Sequence, residues 1–123
     1  MEFADRLPAG CPPPNAQAVD RDIVAYRIID TPPPKASDFI SHWNMNPGKR
    51  YRDECIARSL SIFSTLEECR AVMEGSLKFK NKGICRIKLA PGAGMILQNH
   101  QTGHISWWMA KDAEPLRYCE GME

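Results

Sequence analysis

The sequence predicts a single α+β domain: a mainly antiparallel, twisted sheet of about four to six strands with one principal helix and one short helix. Three observations predict it. Apolar and polar residues alternate with period two over 23–29, 56–63, 84–89 and 104–109. Over 65–74 the apolar residues Leu66, Cys69, Val72 and Met73 instead fall at helical spacing. Pro91-Gly92 then turns the chain between two of the strands, as a hairpin requires.

In the first strand, 23–29, Val24, Tyr26 and Ile28 share one face, while Ala25 and Arg27 share the other. Thr31-Pro32-Pro33-Pro34 ends it. Ser37 caps a short helix over about 38–43, with Phe39, Ile40 and Trp43 at helical spacing. Residues 44–48 are turn chemistry and 49–54 a polar loop. Ile56, Leu60 and Ile62 then alternate with Ala57, Ser59 and Ser61. Ser64-Thr65-Leu66-Glu67 reads as a capping box for the principal helix, which ends at Gly75. Cys85, Ile87 and Leu89 oppose Arg86 and Lys88 on the next strand, and 95–97 returns beside it. In 104–109, Ile105, Trp107 and Met109 oppose His104, Ser106 and Trp108. Adjacent tryptophans point to opposite faces, so one of them is expected on the surface. Leu116–Cys119 is expected as an edge strand.

At 123 residues the chain suffices for one domain with its own core, and a formal charge of +1 excludes a wholly polyanion-seeking protein. No apolar run is long enough to span a bilayer, so no membrane contact is expected. Residues 1–20, with Pro8, Pro12, Pro13 and Pro14, read as a flexible proline-rich tether, leaving 21–123 as the domain. That segment lacks the apolar core of a secretory signal. The cysteines (Cys11, Cys55, Cys69, Cys85 and Cys119) are odd in number and form no C-x-x-C pair. Free thiols in a cytoplasmic protein are therefore expected. Cys55, in an arginine-containing loop, has no histidine assigned to activate it.

Residues 76–94 hold Lys78, Lys80, Lys82, Arg86 and Lys88 and no acid. With Phe79 among them and Trp107 or Trp108 emerging nearby, the stretch suits a basic binding face, with lysines guarding a sheet edge as the bland reading. Nucleic acid is one partner for such a face and an unknown protein another. An exposed tryptophan would also suit a homodimer. The free N–H groups at Ser64 and Thr65 offer an anion site, with simple capping as the alternative. No metal site is expected: His100 and His104 are four apart, but Gly103 argues against the helix that would align them. No nucleotide-cradling or hydrolase motif is present.

Tyr26-Arg27, Asp38-Phe39-x-Ser41, Leu60-Ser61-Ile62-Phe63 and His104-x-x-Trp107-Trp108 together resemble, over about residues 24–109, small uncharacterised bacterial proteins of accessory gene sets. The layout also resembles ADP-ribosyltransferase toxins of the arginine-serine-glutamate type. That resemblance implies NAD as ligand, with Arg27 gripping its phosphates and Ser59-x-Ser61 ordering the nicotinamide pocket. The family's glutamate has no counterpart on a late strand, since Glu120 falls in the tail.

The reading drawn from the sequence is a small cytoplasmic interaction module without a cofactor, working through Lys78, Phe79, Lys80, Lys82, Arg86, Lys88, Trp107 and Trp108. The alternative is an NAD- or nucleotide-binding, ADP-ribosyltransferase-like enzyme using Arg27, Ser59, Ser61 and His104. The second requires Arg27 and Ser61 on neighbouring strands, facing one pocket with a carboxylate nearby. The first requires a flat basic face.

Overall fold

The computed structural model describes residues 1–123. It is an α+β domain built on one sheet, whose strands are β1 (Gln17–Ala18), β2 (Ile23–Ile29), β3 (Leu60–Phe63), β4 (Gly83–Leu89), β5 (Gly94–Gln98), β6 (His104–Met109) and β7 (Cys119–Met122). Their spatial order is β1-β5-β6-β3-β2-β4-β7, and each neighbouring pair is antiparallel. Short helices α1 (His42–Met45) and α2 (Glu54–Ala57) lie in the excursion between β2 and β3, and α3 (Leu66–Glu74) follows β3.

The period-two segments become strands because each has a face to bury. In β4, Cys85, Ile87 and Leu89 are fully buried, while Arg86 and Lys88 remain exposed. They join Ala25, Ile29, Leu60, Ile62, Ile105 and Trp107 in the main core. Each such aliphatic side chain contributes about 1.5–3 kcal/mol when fully buried. Phe63, Cys69 and Ile84 form a smaller cluster on the opposite side, where α3 packs. Phe79, Leu77 and Lys78 form a 3-10 turn beyond α3.

Several expectations are corrected. Residues 1–20 are no loose tether: β1 pairs with β5, Val19 lies in the core, and Phe3 bridges to Ala110. Cys11 and Cys55 are joined in a disulfide with their Cα atoms 5.6 Å apart, so three cysteines, not five, are free. The spacing of cysteines along a chain does not encode their pairing.

The strand expected from Ile56 begins only at Leu60. Asp53 accepts the Ile56 N–H at 3.1 Å and starts a helical turn that the alternation of Ile56 and Ala57 disguised. The short helix expected over about 38–43 splits into a 3-10 turn, Ala36–Phe39, and α1, capped by Ser41. Helix α3 is capped one residue later than expected, by Thr65 accepting from the Glu68 N–H. The expected edge strand at 116–119 is a 3-10 turn, Pro115–Tyr118, with β7 immediately after it.

Both tryptophans are buried. Trp107 fills the core and donates to the Ala93 carbonyl at 3.1 Å. Trp108, on the opposite face, is covered by the excursion and donates to the Cys55 carbonyl at 2.9 Å. Neither is exposed as expected, although both line a cavity of about 210 Å³, and the argument for a homodimer from an exposed tryptophan falls. No helix is long and apolar enough to cross a membrane.

Candidate functional site

Strands β2, β3 and β6 lie side by side at the centre of the sheet, and their pairing brings together residues far apart in sequence. Arg27 on β2, Ser61 on β3 and His104 at the start of β6 line one cavity of about 370 Å³. The excursion between β2 and β3 supplies another wall through Asp38, Ile40, Ser41, His42 and Met45. Val72 of α3 and the following turn, with Lys78, Phe79 and Lys82, close it. Such a volume lies within the range of small-molecule sites, about 300–1,000 Å³.

Arg27 sits at the seam between sheet and excursion. Its Nε donates to the Asp38 carbonyl at 2.9 Å and its Nη1 to the Ser61 carbonyl at 2.7 Å. The guanidinium also lies over the Phe39 ring, 5.6 Å from its centroid. These contacts fix its plane and leave Nη2 without a partner in the protein. Burial lowers its pKa to about 10, opposed by the nearby charge of Asp38. Among lysines and arginines, Arg27, Arg58 and Lys82 are the ones not exposed. Arg58 is paired with Asp5 and Glu54, and Lys82 with Asp30. Arg27 alone of these three has no salt bridge. Arg27 is half-buried, with its positive charge at the cavity wall and the Asp38 carboxylate near but not in contact.

Asp38 does not serve as its counter-ion by contact. Its Oδ1 accepts the Asp30 N–H at 2.9 Å and its Oδ2 the Lys35 N–H at 2.8 Å, tying down the turn after β2. His42 reports the electrostatics of the opening: burial lowers its pKa, and the positive charges of Lys78, Arg27, Lys49 and Lys82 lower it further. The lining thus carries Arg27, Lys78 and Lys82 with Asp30 and Asp38, and apolar side chains from Ile28, Ile40, Met45, Phe63, Val72 and Phe79 lie between the charges.

No protein-family model, curated sequence or solved structure matches the chain. Its site must be judged on its own geometry.

That geometry divides the residues singled out from the sequence. Arg27, Ser61 and His104 meet in the cavity, and His104 Nε2 lies 2.9 Å from Ser61 Oγ. Ser59 also reaches the lining but is 2% exposed, and its hydroxyl donates to the Ile56 carbonyl at the end of α2. It is a structural serine. Lys78, Phe79 and Lys82, expected on a strand face, belong to the cavity instead, because the chain forms a 3-10 turn over Leu77–Phe79 and enters β4 only at Gly83.

The other basic residues do not form an open cationic face. Sheet pairing sets Arg86 beside Glu120 at 3.2 Å and Lys88 beside Asp22 at 3.7 Å. The acid-free stretch is thus neutralised from neighbouring segments, and Lys80 remains exposed without a salt bridge. Glu120 lies on β7, not in a frayed tail, and its partner is Arg86.

The anion site expected at the start of α3 is already taken. Ser64 and Thr65 both donate to Glu68 Oε1, at 3.1 and 2.6 Å, and Glu67 adds a second negative charge to that turn. A Cβ at Gly103 would overlap the Glu68 carboxylate, so glycine there, at φ +72°, keeps the cap closed. The cavity residues Asp38 and His42 were missed as site candidates. Each is a single polar residue on a short helical turn of the excursion; Asp38 was noted only within the Asp38-Phe39-x-Ser41 pattern, and His42 only within the capped stretch around it.

Proposed function

We propose that the cavity between the central strands and the excursion binds a phosphate-bearing nucleotide, with NAD as the favoured ligand. The chain then belongs with the ADP-ribosyltransferase-like enzymes it resembles and not with basic-face interaction modules. The observation that carries this reading is the half-buried, salt-bridge-free Arg27 on the cavity wall, with Ser61 on the neighbouring strand and Asp38 nearby. A phosphate there supplies the missing negative charge and accepts from Nη2. Lys78 and His42 extend the site along a second phosphate, and Phe79, Met45 and Ile40 offer apolar surface to a base.

The basic-face reading is weakened by the ion pairs of Arg86 and Lys88 and by the burial of both tryptophans. A protein partner is favoured as a second ligand by Met45, 56% exposed at the cavity, and by Leu77, 89% exposed on the turn that also carries the lining residues Lys78 and Phe79. The Cys11–Cys55 disulfide favours an oxidising compartment over the cytoplasm, because such bonds persist where thiols are not continually reduced.

Thermal unfolding in the presence of NAD, ADP-ribose, AMP and short oligonucleotides tests the reading. A ligand of the folded state at one hundred times its Kd adds about 2.7 kcal/mol of stability. NAD or ADP-ribose is expected to raise the melting temperature of the wild type, and Arg27→Lys, which keeps the charge but loses the fixed fork, is expected to reduce that rise. Stabilisation by oligonucleotides alone, insensitive to Arg27, would return the function to a surface of the protein.

A further inference from the structure

Ser61 and His104 are diagonal neighbours across the β3–β6 pair. The register sets Ser61 opposite Ser106 and Phe63 opposite His104, so both side chains rise from one face of the sheet. The imidazole is held in place rather than merely near. Its Nε2 is 2.9 Å from Ser61 Oγ, and its ring stands edge-on to Phe63 with centroids 5.6 Å apart. Burial pushes its pKa below 6.5, so the ring is neutral at pH 7 and free to take up a proton. A serine–histidine pair within hydrogen-bond reach is the geometry of an activated hydroxyl.

The carboxylates near the cavity are otherwise engaged. Both oxygens of Asp38 hold backbone N–H groups, Asp30 is paired with Lys82, and Glu68 is committed to the α3 cap. His42, the other imidazole of the lining, has no side-chain hydrogen bond to position it and lies among the cations Lys78, Arg27, Lys49 and Lys82.

We propose that His104, acting through Ser61, is the general base of a glycosidic hydrolysis in this cavity, in place of a carboxylate. This rests on the nucleotide reading above. A water held at Ser61 Oγ attacks C1′ of the ribose bearing the nicotinamide. The water oxygen bonds to C1′ as the C1′–N bond breaks, and nicotinamide departs with that electron pair as a neutral molecule. The water proton passes to Ser61 Oγ while the Ser61 proton passes to His104 Nε2, whose ring carries its resting proton on Nδ1. The imidazolium then returns its proton to solvent. No oxidant or metal enters the balance.

The test measures two quantities on the same full-length samples: NAD binding by thermal shift, and nicotinamide release by chromatography. The wild type is expected to bind NAD and release nicotinamide, with a rate that falls below pH 6.5 as His104 becomes protonated. His104→Gln keeps a hydrogen-bonding partner for Ser61 but cannot accept the proton. It is expected to bind NAD within about twofold of the wild type and to lose about 10²–10⁴-fold in rate. Ser61→Ala is expected to lose rate similarly. Binding without nicotinamide release by the wild type, or an undiminished rate in His104→Gln, would overturn the base assignment and leave the binding reading intact. Absence of NAD binding would overturn both.

Discussion

The two principal walls of the cavity are built on different physical grounds. The sheet wall places Arg27, Ser61 and His104 on central strands, where register and the buried opposite face leave no freedom to slip. The excursion wall, between Asp30 and Ser59, holds only a 3-10 turn and two helices of one turn each. Isolated helices of that length are not stable, so this wall depends on tertiary anchors. Asp38 ties its start to the end of β2, and the Cys11–Cys55 disulfide ties its end to the N-terminal segment. Between them Arg58 stacks on Trp43, 4.4 Å from its centroid, and pairs with Asp5 at 3.2 Å. The proposed chemistry falls on the wall built of strands, while the other wall, which is stapled, shapes the opening.

This contrast is open to attack at the staple first. Removing the disulfide through Cys11→Ser and Cys55→Ser opens a loop of sequence separation 44 and is expected to cost about 3–4 kcal/mol in denaturant unfolding. If the walls differ as described, amide exchange will quicken across 31–58 and leave β2, β3 and β6 protected. Equal loosening of both would erase the distinction.

Asp38→Ala comes next. It orphans the N–H groups of Asp30 and Lys35 and is expected to cost about 1–3 kcal/mol, while Asp38→Asn retains part of that. A larger loss of ligand affinity than of stability would show that this carboxylate works by shaping the excursion.

Acid should act more gently, and through one histidine on each wall. The pKa of His104 is lower in the folded protein than its ordinary 6.5, so above that pH neither state is protonated and the residue adds nothing. As pH falls below 6.5 the unfolded chain takes up the proton first, and stability declines until the folded-state pKa has been passed. His42, lowered in the same direction, adds to the decline. His104→Gln should flatten part of the stability profile in urea between pH 7 and 5.

The smallest effect belongs to the outlying basic residues. Lys88→Ala and Arg86→Ala remove exposed ion pairs and should change stability by less than about 0.5 kcal/mol and ligand binding not at all. A binding loss there would revive the strand face as a site.

The strands were legible because burial of one face imprints a period of two, as in Cys85, Arg86, Ile87, Lys88 and Leu89. The α+β class and the antiparallel sheet follow from that signal, which also found most of the strand boundaries. It failed where several structures share one pattern: Ile56 and Ala57 alternate like a strand yet form α2, because Asp53 caps them. Proline content made residues 1–20 look untethered, although Val19 and the disulfide pin them through contacts no local pattern reports. At the site, Arg27, Ser61 and His104 were legible as polar residues on strands. Their meeting with Lys78 and Lys82 was not, since it depends on the turn between α3 and β4. Charge counted along 76–94 likewise overstated the basic face, because Asp22 and Glu120 come from segments remote in sequence.

Backbone NMR of the labelled protein titrated with ADP-ribose locates the ligand residue by residue. Saturable shifts are expected at residues 27–30, 37–42, 61–63, 78–82 and 102–104, which meet only at the cavity. Shifts gathered instead around Arg86, Lys88 and Glu120, or none at millimolar ligand, would contradict that location.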